Sequence, residues 1–267
     1  SFDRDTLEAD LAPDLESETF PSRTTYDALN RPTALTAPHT PAMQPSVVRP
    51  GYNEANLLER VDVMLRGATI DGQPAWTSFV TNVDYDAKGQ RTRVDYGNGA
   101  STSYKYDPLT SRLRQLLTWR NAIAFPDDCP QPAPDDWPGC QVQNLYYTYD
   151  PAGNITYLRD DAQQTIFFAN RRVEPSSDYT YDAIYRLIEA TGREHMGQGS
   201  APIVHSHNDA GRVSLLSADA AGRFAPNDGN AMGTYIERYV YDAAGNFLQM
   251  QHRGSDPVHP GWTRSYM

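Results

Sequence analysis

The 267 residues include 34 Asp and Glu against 23 Lys and Arg, a formal charge of −11 with a sequence pI near 4.9. That balance argues against a general affinity for nucleic-acid phosphates, which clustered Lys and Arg drive. The hydrophobic fraction is 39%, mean hydropathy is −0.64, and no run approaches the ~18 consecutive apolar residues of a membrane helix, so a thin sheet fits better than a thick core or a membrane-spanning bundle.

Residues 1–23 form an acidic lead-in that opens Ser1-Phe2-Asp3-Arg4-Asp5, which is unlike a signal peptide, so an export route is not visible. It contains the chain's one short helical stretch, residues 6–15, interrupted by Pro13. Residues 24–267 then alternate β-rich runs with clusters of Gly, Pro, Asn and Asp.

The first repeated unit is Tyr26-Asp27-Ala28-Leu29-Asn30-Arg31, followed by Tyr52-Asn53-Glu54-Ala55-Asn56-Leu57 and Tyr85-Asp86-Ala87-Lys88-Gly89-Gln90. Residues 57–66 have apolar spacing that could pass for a helix, but their alignment with the repeat favours a strand. Strands are expected at residues 83–85 and 91–96, and Gly97-Asn98-Gly99 is a further turn signal before residues 101–106.

The fuller form, Tyr-x-Tyr-Asp, occurs four times: at Tyr104/Tyr106/Asp107, Tyr147/Tyr149/Asp150, Tyr179/Tyr181/Asp182 and Tyr239/Tyr241/Asp242. In Tyr147-Thr148-Tyr149-Asp150-Pro151-Ala152-Gly153-Asn154, Asp150 is suited to accept backbone N–H bonds at the first turn position. Pro151 presets φ at the second, and Gly153 can take the positive φ that closes a type I turn with a bulge. Each unit therefore reads as strand, tight turn, strand, with the paired tyrosines on one face.

His207-Asn208-Asp209-Ala210-Gly211-Arg212 supplies one more weak copy, giving eight units. Asn30, Asn56, Gly89, Gly153, Gly211 and Gly245 hold the closing position, as a left-handed conformation favours. Thr110 and Tyr185 occupy that position in the other two copies, and different turns are expected there. Spacing runs from 21 residues between Tyr85 and Tyr106 to 43 between Tyr106 and Tyr149, so insertions interrupt the array. A unit that cannot bury its own apolar face stacks on neighbours, and the fold class is an all-β array of antiparallel hairpins.

The longest insertion, at about 121–142, is Pro-rich and holds both cysteines, Cys129 and Cys140. They form either a disulfide that pins the loop or two free thiols. No phosphate-binding loop, Gly-x-Ser-x-Gly elbow or His-Glu-x-x-His helix is present. His205 and His207 could offer two metal ligands from one strand face, but His207 occupies the repeat's Tyr position and fits an aromatic slot better. The acidic pairs Asp127-Asp128 and Asp160-Asp161 read as turn formers, and residues 192–195 as loop chemistry without a nucleophile. No catalytic, metal or cofactor-binding residue is assigned.

These Tyr-Asp units resemble the RHS/YD-repeat family. The stretches at 52–62, 178–194 and 239–264 are similar to the C-terminal, shell-forming part of the B component (SpvB/TcaC-like) of bacterial Tc insecticidal toxin complexes. The resemblance implies a curved strip of a hollow shell, secreted as part of a toxin complex, which is built with the C component and encloses a cytotoxic polypeptide. A propeller upstream of this region would dock the shell on the A-component pore. The family's self-cleaving aspartyl motif has no counterpart here, so the resemblance implies a non-enzymatic structural segment. A cell-surface or glycan-binding module is the alternative from another class, and an enzyme assembled only in the fold is a third. Unpaired sheet edges lead us to expect self-association.

Overall fold

A computed structural model describes residues 18–120, 125, 141–196, 229–255 and 261–266. The lead-in helix, both cysteines and nearly all of their insertion, and the His205/His207 copy lie outside these residues. The described residues contain nineteen strands and no α-helix.

The chain divides into two units, Ser1–Thr102 and Ser103–Met267. In the first, β1 (Arg23–Tyr26), β2 (Pro32–Thr36), β3 (Val47–Tyr52), β4 (Leu58–Met64), β7 (Thr77–Tyr85) and β8 (Arg91–Tyr96) are hydrogen-bonded in that order. A two-stranded ribbon, β5 (Thr69–Ile70) with β6 (Gln73–Pro74), projects between β4 and β7. Residues 57–66 thus contribute a strand. The β9 strand (Ala100–Tyr106) contains the boundary between the units.

The second unit orders β10 (Leu113–Arg120), β11 (Gln141–Tyr149), β12 (Ile155–Asp160), β15 (Ser176–Tyr181), β16 (Leu187–His195), β17 (Met232–Tyr241), β18 (Phe247–Gly254) and β19 (Gly261–Ser265). Here the ribbon is β13 (Ile166–Phe168) with β14 (Arg171–Val173). Pairing is antiparallel between sequential strands, as short connections dictate.

Strand residues alternate between shielded and exposed, as in β7 and β17, which is the period-2 signature of a sheet with two different faces. The core is thin. Its apolar members are Val63, Val83, Val94 and Ala100 in the first unit and Val173, Ala190, Met196 and Ala231 in the second. With so little apolar volume to bury, cross-strand pairs and turn hydrogen bonds carry an unusual share of the fold's specification.

The turns follow one plan. In the Asp150 copy the carbonyl of Asp150 accepts from Gly153 N–H at 3.2 Å while its own N–H donates to the Asn154 carbonyl at 3.0 Å. Gly153 has φ 109°, and the register shifts at Thr148/Tyr149, which is the expected turn with its bulge. The same pair of backbone bonds closes the turns at Asp27, Asn53, Asp86, Asp182 and Asp242.

The two exceptional copies behave differently from each other. At Asp107 the turn is one residue longer: Ser111, not Thr110, is left-handed at φ 58°, and Asp107 N–H donates to the Arg112 carbonyl. At Asp182 the expectation of a different turn is corrected. Tyr185 takes φ 66° and the standard bonds form, because the Asp182 carboxylate holds both flanks of the turn and outweighs the local steric cost.

Candidate functional site

Each turn is organised by its first side chain. Asp150 Oδ1 accepts from the N–H groups of Gly153 (2.7 Å) and Asn154 (2.9 Å), and its Oδ2 accepts from Asn154 Nδ2 at 2.7 Å. Asp27, Asp86, Asp182 and Asp242 each accept two backbone N–H groups through Oδ1 in a similar way. Asp107 accepts from Leu109 and Thr110 N–H and from the Thr110 hydroxyl. Asn53 does the same work with an amide oxygen, bonding Ala55 and Leu57 N–H at 3.0 Å each.

These bonds favour the ionised carboxylate. Backbone donation from Arg31 and Arg186 leads in holding Asp27 and Asp182 below the usual carboxylate range. For Asp150 and Asp242 the leading cause is the amide of Asn154 or Asn246, and for Asp107 it is the Thr110 N–H. The carboxylates are therefore engaged in holding turns, not poised as acids or bases.

The tyrosine before five of the turns reaches backward to the preceding hairpin. Tyr52 donates its hydroxyl to the Pro32 carbonyl (3.1 Å) and Tyr85 to Leu58 (2.6 Å) in the first unit. In the second, Tyr149 donates to Leu113 (2.7 Å), Tyr181 to Ile155 (2.9 Å) and Tyr241 to Leu187 (2.8 Å). The acceptor is always the residue that opens the return strand of the previous hairpin. Burial raises the hydroxyl pKa of Tyr85, Tyr149, Tyr181 and Tyr241, which keeps each a hydrogen-bond donor. Tyr26 and Tyr106 end β1 and β9 in the same position of the repeat.

Arginines at the exits of three of the turns, Asp27, Asp107 and Asp182, add a second tie. Arg31 lies over the Tyr52 ring at 4.7 Å and donates to Asn56 Oδ1 at 2.7 Å. Arg112 lies 5.6 Å over Tyr149 and donates to the carbonyls of Asp150 and Pro151. Arg186 lies 4.9 Å over Tyr241 and donates to the Asp242 carbonyl at 3.0 Å. Arg31 and Arg186 also pair with their own turn aspartates at 2.7 Å. A planar guanidinium can stack and donate at once, which an ammonium cannot. Nothing in the spacing of these arginines set them apart from ordinary turn-flanking charges.

The densest polar cluster is on β16–β19. His252 has Glu194 Oε2 at 2.9 Å from Nε2 and Glu237 Oε1 at 3.1 Å from Nδ1. Its ring stacks between Tyr235 (5.2 Å) and Trp262 (5.6 Å). The Tyr239 hydroxyl donates to Glu237 Oε2 at 2.6 Å, and burial followed by that bond pushes the phenol well up. Gly192 makes room for the Tyr235 ring, since a Cβ there would meet it at 2.7 Å. The acids and the imidazole face one another, so the cluster ties four strands together. Among the described residues no group of three or more His, Cys, Asp and Glu could hold a metal ion.

The chain is 33% identical over 208 residues to toxin subunit YenC1 of Yersinia entomophaga and 35% identical over 170 residues to toxin subunit YenC2 of the same organism. These alignments cover 78% and 63% of this chain. Among solved structures, it matches the crystal structure of TcdB2-TccC3 and the Photorhabdus luminescens Tc holotoxin pore. Both matches have a TM-score of 0.58 and 28% identity over 99% of this chain.

The chain is similar to part of these toxin subunits and Tc toxin structures. Its similarity is to part of much longer molecules: 18% of YenC1 and 15% of YenC2, and 11% and 10% of the two matched structures. No family model matches it. In this chain the Tyr-Asp unit is a joint: its aspartate makes the hairpin and, at five junctions, its tyrosine fastens the hairpin to the one before.

Proposed function

We propose that the chain is a non-enzymatic segment of the wall of a bacterial toxin-complex shell that encloses a cytotoxic polypeptide for delivery into host cells. The observation that carries this reading is the recurring Tyr hydroxyl-to-carbonyl bond between successive hairpins, in a chain similar to toxin subunits and to Tc holotoxin structures. A wall must resist being pulled apart along its length. Successive hairpins here are held by ladder bonds, at five junctions by a phenol and at three by a stacked guanidinium.

On this reading the partners are other toxin-complex subunits and the enclosed polypeptide, and the protein acts outside the cell that makes it. Confinement is the mechanism: a chain held inside the wall cannot aggregate or meet proteases. The test is co-expression of the full-length protein with its neighbouring toxin genes, followed by size-exclusion chromatography and protease challenge. Co-elution in one large particle, with an internal polypeptide cleaved only after the particle is denatured, is expected. A separate, unassembled chain would overturn the reading, and specific binding on a glycan array would favour an adhesion module instead.

A further inference from the structure

The ties between hairpins in the second unit are unequal. Arg112 bridges the Asp107 turn to the Asp150 turn, and Arg186 bridges the Asp182 turn to the Asp242 turn. Between the Asp150 and Asp182 turns the corresponding residue is Asn154, whose amide is turned onto its own Asp150. Here β12 meets β15 through only three paired residues, Tyr157↔Asp178, Leu158↔Ser177 and Arg159↔Ser176, continued by Asp160 N–H to the Pro175 carbonyl. By contrast, β16 and β17 pair over seven residues.

The β13–β14 ribbon is inserted at this lightly tied boundary, and it reaches across it. At its base, Asp161 N–H donates to the Asn144 carbonyl at 2.8 Å, while Asp160 Oδ1 accepts from Asn144 N–H at 2.8 Å and Ala162 N–H at 3.1 Å. That roots it on β11. At its far side both ribbon strands pack against β17, and Arg193 of β16 donates to the Gln164 carbonyl (3.3 Å) and Gln163 Oε1 (3.2 Å). Val173 of β14 is completely buried, while Phe167, on the ribbon's other side, is 76% exposed. The ribbon therefore has a seated face and an open one.

We propose that β13–β14 is a strap that fixes the angle between the two Arg-bridged pairs of hairpins, and that the β12/β15 ladder is the hinge at which the array bends when the strap lifts. A short ladder with no bridging guanidinium is the most lightly tied junction between hairpins in the unit, and a ribbon anchored on β11 and β17 removes its compliance without stiffening either pair. Regions of low local stability are where conformational change is drawn from.

The test uses the full chain with Cys129 and Cys140 replaced by Ser, and spin labels at the exposed turn positions Ala152→Cys and Ala244→Cys. Pulsed dipolar spectroscopy reads the distance across the hinge, and amide exchange reads each ladder. In the parent a single narrow distance distribution is expected. In Val173→Asp, and in the milder Val173→Ala/Arg193→Ala variant, the distribution should broaden at least twofold. Exchange at Tyr157, Leu158 and Arg159 should rise tenfold or more, with β17–β18 unchanged. An unchanged distribution overturns the proposal. So does exchange that rises equally in all ladders of the milder variant, because the ribbon would then be an ordinary part of the core.

Discussion

Replacing Tyr149 with Phe removes one oxygen and leaves the ring where it is, packed beside Tyr147 at a centroid distance of 6.5 Å and under Arg112. What is lost is the 2.7 Å bond to the Leu113 carbonyl. A net intramolecular hydrogen bond is worth about 0.5–1.5 kcal/mol, and a part-buried carbonyl left without its donor puts the cost in the upper half of that range. For a unit of this size each kcal/mol shifts Tm by roughly 2–4 °C, so a drop of about 2–6 °C is expected. Thermal unfolding by circular dichroism gives the shift, and amide exchange should locate the loosening at β10 and β11. Tyr157→Phe, in the same sheet but without a hydroxyl-to-carbonyl bond to the preceding hairpin, is the control and should stay within about 0.5 kcal/mol of the parent. If the two Phe variants are indistinguishable, the phenol is only an aromatic filler and the junction argument fails.

Gly153→Ala should destabilise by roughly 1–2 kcal/mol, because φ is 109° and the new Cβ would meet Arg112 Nη2 at 3.1 Å; denaturant melts read the loss. Tyr185→Asn should do the opposite and raise stability by about 0.5–1 kcal/mol in the same melts, since the site is left-handed at φ 66° and the Tyr side chain is largely exposed. Asp150→Asn should retain the turn, as Asn53 does, while removing a pH-sensitive contribution. A carboxylate held below its usual range stabilises the fold above about pH 4, and that contribution disappears as pH falls through the lowered folded value. Parent and variant melting temperatures should accordingly converge at acid pH and separate near neutrality. Arg186→Lys should weaken the Asp182–Asp242 junction measurably, seen as faster exchange in β16 and β17, because an ammonium cannot stack on Tyr241 while donating to the Asp242 carbonyl.

The turn chemistry was legible because it is local. Asp150, Pro151 and Gly153 each have a backbone task that follows from their covalent structure, and five residues suffice to specify it. The tyrosine hydroxyls were not legible: Tyr149 finds an acceptor 36 residues earlier and Tyr241 one 54 residues earlier, separations that spacing alone cannot predict. Arg31, Arg112 and Arg186 were hidden for the same reason, since their partners lie in the next hairpin. Residues 166–168 form a strand, yet nothing in Ile166-Phe167-Phe168 distinguishes a separate two-stranded ribbon from a strand within the sheet. Tyr185 went against its local steric preference because the surrounding hydrogen bonds overdetermine the turn. The cysteine pairing and the His205/His207 copy fall outside the described residues.

Electron cryomicroscopy of the full-length protein, assembled with the toxin-complex subunits proposed as its partners, tests most directly whether these hairpins form part of a wall. The account predicts that these hairpins lie within the boundary of an enclosed space, in continuous register, with the Tyr149 and Tyr241 phenols on the preceding hairpins and density for another polypeptide inside. Finding this region outside the particle as a separate module, or finding those phenols turned away from the preceding strands, would contradict it.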